Sequence, residues 1–123
     1  MPRMISFMLT TPQFKARTKT VTRRLGWWFL RGGETLTGVE QSQGIKKGEH
    51  VVRLGDITVK SVSHEPLNTI TQSDVIREGF PDMTPAEFVA FFCAHNKCAQ
   101  DVMVNRIEFE YLTGVSDEQQ NTC

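Results

Sequence analysis

Asp and Glu are absent from the first thirty-three residues of this chain, which carry seven Lys or Arg. Long apolar runs are absent as well, and none approaches the roughly 18 residues of a membrane span. The run Ile5 to Leu9 is too short for a secretory signal, and no small-residue cleavage site follows it. These absences predict a cytoplasmic protein with no membrane partner. Cysteine is scarce: Cys93, Cys98 and Cys123 do not make a secreted disulfide framework. Cys93-x-His95-x-x-Cys98 lacks the fourth ligand of a closed zinc site, so no metal is expected. There is no Gly-x-x-x-x-Gly-Lys loop, and no His-x-Glu paired with Cys-x-x-Cys. Triphosphatase and zinc deaminase readings therefore drop out, and no cofactor is expected. Internal repeats and low-complexity segments are missing too.

What remains fits one domain of ordinary size over residues 1–113, with a polar, flexible tail at 114–123. The formal net charge is zero, yet residues 1–60 carry +7 and residues 61–123 carry −7. A basic half favours an anionic partner such as nucleic acid or phosphate, unless the two halves pair with each other.

Hydrophobic pattern and turn residues place the elements. Ile5 to Leu9 reads as a strand. Thr11-Pro12 opens a short helix running to about Arg17. Arg23 to Leu30 reads as partly extended, and 31–48, with five glycines, as a long loop, with or without short strands. Glu49–Leu54 and Ile57–Val62 suggest a hairpin around Gly55-Asp56. Thr71 caps a helix to Arg77, with Gly79 near its end. Thr84-Pro85-Ala86-Glu87 starts another that reaches about Asn96. Phe88, Phe91 and Phe92 are its core face. Val102 to Leu112 alternates as a closing strand. The pattern is α+β.

The stretch Thr18-Lys19-Thr20-Val21-Thr22-Arg23-Arg24 carries the chemistry. A Lys among cations loses its proton more easily and can act as a base. The same group of residues also suits phosphate contact. Trp27 or Trp28 offers a stacking face for a base. His50, His64 and His95 stand isolated and read as structural or exposed.

In this stretch the chain resembles the ASCH domain family, a PUA-like β-barrel. The likeness spans about Ile5 to Leu112, and it implies a small barrel with flanking short helices. The family signature is Gly-x-Lys-x-x-Glu-x-Arg. Lys19 and Arg24 keep their places, Arg17 stands where Gly is usual, and Thr22 where Glu is usual. Lys-Thr-x-Thr-x-Arg is similar to the ASCH amidohydrolases that deacetylate 4-acetylcytidine. Glu65-Pro66-Leu67 and Glu78-Gly79-Phe80-Pro81 resemble phrases of bacterial and phage ASCH proteins. The resemblance implies metal-independent removal of an acyl group from a modified pyrimidine nucleoside. Lys19 would be base, Thr22 nucleophile and Glu78 acid/base, the last aligned by assuming a short insertion. Arg17, Thr20, Arg23, Arg24, Trp27 and Trp28 would bind substrate or nucleic acid. The alternative is a non-catalytic module for RNA or single-stranded DNA.

Overall fold

The computed structural model describes residues 3–41 and 50–112. What was expected of residues 42–49 and of the tail lies outside them.

Strand β1 (Arg3–Ser6) runs into a 3-10 turn (Met8–Thr10) and helix α1 (Thr11–Lys15). Then come β2 (Val21–Arg24), β3 (Thr35–Val39) and the long β4 (Arg53–Pro66). A second 3-10 turn (Leu67–Thr69), α2 (Gln72–Arg77), α3 (Pro85–Asn96) and β5 (Met103–Tyr111) complete the elements of the described residues. The five strands form one sheet in the order β1-β3-β4-β5-β2. β1 is parallel to β3, and every other pair is antiparallel. The mixed sheet curls into a half-barrel whose edge strands, β1 and β2, do not join in a ladder.

The expected hairpin at Gly55-Asp56 does not exist. Both residues lie inside β4, which runs on without a turn. Gly55 faces Gly38 of β3, and a Cβ at Gly38 would meet Phe14 Cζ at 2.6 Å. Gly38 clears space for the ring of Phe14, and Gly55 takes a φ of 147° within the strand, so neither turns the chain. Asp56 is held in the strand by Thr37, whose hydroxyl donates to Oδ1 at 2.8 Å. The first strand also ends earlier than its apolar run, and α1 stops at Lys15.

Thr11 lies inside α1, whose N-cap is Thr10, and β3 falls within the glycine-rich stretch; the caps of α2 and α3 act as written. Thr71 accepts from the Asp74 amide and opens α2. Thr84 and Glu87 form a reciprocal capping box at α3. Lys97 closes α3 in the left-handed region, at φ 53°. Strand alternation divides β5 between two cores. Ile107 and Phe109 pack inside the curl with Ile5, Phe7, Phe14 and Ile57. Val104 packs on the other side against Leu67, Val75, Phe88 and Phe92. Helices α2 and α3 therefore cover one face of the sheet, α1 packs Phe14 on the other, and the seam between β1 and β2 opens beside α3.

Candidate functional site

The segment before β2 is fixed to the end of α2 by backbone bonds. The Thr20 amide donates to the Arg77 carbonyl at 2.8 Å, and Thr20's own carbonyl accepts from Phe109. Glu78 is the residue that closes α2, and Gly79 follows at φ 104°. A Cβ on Gly79 would lie 2.7 Å from Gln13 Cγ, so glycine lets α1 press close to this turn. The same contact brings Lys19 against Glu78.

Lys19 is 2% exposed and Glu78 3%. The Lys19 amine donates to Glu78 Oε1 at 2.7 Å and to the Glu78 carbonyl at 2.9 Å. Burial pushes the amine below the ordinary lysine range; Glu78 opposes that, and Arg24 and Arg23 add smaller downward pushes. Loss of water therefore does most of what was expected of neighbouring cations. Arg17 takes no part, because its guanidinium lies over the Tyr111 ring, 5.1 Å from the centroid. Its φ of 62° falls in the left-handed region that favours glycine.

Thr22 and Arg24 share one side of β2. Arg24 Nε donates to Thr22 Oγ1 at 3.0 Å, and Nη2 donates to the Ser6 carbonyl at 2.6 Å. Arg24 thus bridges the two unpaired edges of the sheet. Burial lowers its guanidinium to about 10, which leaves it charged at neutral pH.

Arg23 points the other way into a set of carboxylates. Nη2 donates to Glu65 Oε2 and to Asp74 Oδ2, each at 2.7 Å, and Nη1 lies 3.4 Å from Glu78 Oε2. Arg106 of β5 donates to both oxygens of Asp74, at 2.7 and 3.1 Å. Those bonds, Arg106 first and Arg23 next, hold the Asp74 carboxyl down to about 2 against the opposing effect of burial. The basic and acidic halves of the chain meet here, inside the protein.

Lys19, Thr22, Arg23, Arg24 and Glu78 line a single cavity of ≈ 220 Å³ in the seam. Its other walls are Phe7, Met8 and Leu9 from the first 3-10 turn and its lead, Phe80, and Phe88, Phe91, Phe92, His95 and Asn96 of α3. Arg17, Thr20, Trp27 and Trp28 stand outside this lining. The tryptophans lie on a turn after β2, so strand alternation does not govern them. Trp27 packs against the inner core, and Trp28 is exposed beside His64. Sequence reading missed the α3 contribution. Phe88, Phe91, Phe92 and His95 share one helix face; the phenylalanines were assigned to core alone, and His95 was read as isolated. The spacing was visible; the cavity beside it was not.

No family model matches the chain, and no curated protein matches it. Among solved structures it is similar to protein EF3133 from Enterococcus faecalis, assigned to the DUF984 family. The TM-score is 0.65 and the identity 17%, over 98% of this chain and 87% of that one. At that identity the likeness shows the fold, a small α+β domain with a curled, barrel-like sheet. Among the described residues, no helix is long and apolar enough to cross a membrane.

Proposed function

We propose that this protein is an ASCH-type amidohydrolase that removes an acyl group from the exocyclic amine of a modified pyrimidine nucleoside, such as 4-acetylcytidine. One observation carries the reading: Lys19, Thr22 and Glu78, from two separate segments, line one small cavity, with the Lys19 amine on the Glu78 carboxylate.

Amide hydrolysis requires a nucleophile, a base and a proton for the leaving amine. Thr22 Oγ1 attacks the acyl carbon while Lys19 Nζ takes the hydroxyl proton. Arg24 Nε, already on Thr22 Oγ1, steadies negative charge as it develops there. The C–N bond then breaks, and the Lys19–Glu78 pair returns a proton to the departing nitrogen. Water attacks the acyl-threonine ester, giving its proton to the pair, and Thr22 Oγ1 recovers one as the carboxylic acid leaves. Burial of Lys19 supports the first step, because it favours the neutral amine. The cavity is smaller than the 300 Å³ or so at which drug-sized sites begin, and its aromatic wall suits one planar ring with a short acyl arm.

The nucleic-acid alternative has less support. Lys19 and Arg23 are buried and bonded to internal carboxylates, leaving them little to offer a phosphate backbone.

Incubation with 4-acetylcytidine should release cytidine. Lys19→Ala and Thr22→Ala should each lower kcat by about 10²–10⁴-fold. No release by the wild type would rule out this substrate. Release that survives both substitutions would rule out the site.

A further inference from the structure

The Lys19–Glu78 pair is not isolated. Glu78 offers Oε1 to Lys19 at 2.7 Å, while its Oε2 lies 3.4 Å from Arg23 Nη1. Arg23 has no exposed side-chain surface and cannot swing away. It is anchored through Nη2 to Glu65 on β4 and Asp74 on α2, both at shorter range than its contact with Glu78. Arg106 in turn fixes Asp74 with two bonds. A rigid cation thus stands on the far oxygen of Glu78, its position set by sheet and helix.

We infer that Arg23 is a positioning residue for the Lys19–Glu78 pair: it pins the far oxygen of Glu78 and draws on that carboxylate's charge, so that Lys19 is aligned on the near oxygen without being locked as a cation. The inference rests on the reading of Lys19 and Glu78 as the proton-transfer pair. In the sequence, Arg23 fills an unspecified place in Lys19-x-x-Thr22-x-Arg24. Its charge cannot serve substrate, because it is committed to three carboxylates. Those contacts make it a divider of negative charge: the more tightly Glu65 and Asp74 hold Arg23, the more of Glu78 is left for Lys19.

The charged and titratable groups around Lys19 all enter the expected response. On β2 they are Arg23 and Arg24, and at the close of α2, Glu78. Behind them lie Asp74, Glu65 and Arg106. His95 of α3 lines the same cavity, and the Tyr111 hydroxyl of β5 donates to the Lys19 carbonyl.

The test follows the Lys19 Nζ resonance through a pH titration of the full chain labelled with ¹⁵N-lysine, the signal being assigned by its loss in Lys19→Arg. Arg23→Gln removes a cation that competes for Glu78, so Lys19 should titrate about one pH unit higher than in wild type. Asp74→Asn removes an anion that competes for Arg23, so Arg23 leans further onto Glu78 and Lys19 should titrate lower. Shifts of opposite sign support the inference. No shift, or a shift of the same sign in both variants, overturns it. If Arg23→Gln does not fold, Asp74→Asn decides alone: a downward shift supports the role, and any other result overturns it. Turnover of 4-acetylcytidine is measured in parallel. Opposed shifts without turnover leave Arg23 its positioning role and remove the deacylase reading. Turnover whose pH limb fails to follow the Lys19 titration removes the role and leaves the deacylase reading.

Discussion

Single residues in this protein act through what burial does to their charge. Asp74 shows the sign most simply. Its folded value of about 2 lies below the ordinary 3.8, so its ion pairs stabilise the fold fully above the ordinary value. That stabilisation is lost as pH falls through 2. Asp74→Asn should therefore be less stable than wild type at neutral pH, and the gap should close between about pH 4 and pH 2. Urea unfolding at a series of pH values measures it, and a gap that stays constant down to pH 2 would refute the assignment. Lys19 and Thr22 were legible as candidates because a short motif carries them. The cause of the downward shift of Lys19 was not, since burial is a property of the fold and neighbouring cations are a property of the sequence. Arg17 was a departure from the motif in sequence; in space it keeps the backbone conformation that a glycine would have supplied. Its place over Tyr111 offsets part of the strain.

Elements were legible where they start and stop by local chemistry. The capping box of α3 is such a case, and it predicts a cost: Thr84→Ala should lose about 1 kcal/mol in denaturant unfolding. A variant as stable as wild type would mean that α3 is held by its packed face alone. Gly55-Asp56 misled because a turn signal is local, whereas Gly55 takes a φ of 147° inside an unbroken strand, opposite Gly38, where the ring of Phe14 leaves no room for a Cβ. The same limit hid the second role of α3. Helical spacing identifies an apolar face but not what lies opposite. Here Phe88 and Phe92 belong to the outer core and also wall the cavity, while His95 reaches its rim.

At the scale of the whole molecule, the opposed charges of the two halves were plain in the sequence, and their meaning was left between an anionic partner and internal pairing. The structure places Lys19 and Arg23 from one half on Glu65, Asp74 and Glu78 from the other. Buried pairs are screened little by salt. The unfolding free energy should accordingly change by less than about 1 kcal/mol between low salt and 0.5 M or so of sodium chloride. A larger loss would show that exposed pairs such as Arg3–Glu34 hold the fold. Barrel curvature was expected from resemblance, but the unpaired seam depends on strand order, which no local pattern encodes.

That seam has a consequence for life in a crowded solution. The rim strand of an open sheet is a template on which a foreign strand can add, and proteins guard such rims with charge. β2 carries arginines on both of its sides. One is sunk among carboxylates, and the other reaches across to occupy the Ser6 carbonyl of the opposite rim. The cation that donates to Thr22 therefore also blunts the sheet as a nucleus for aggregation.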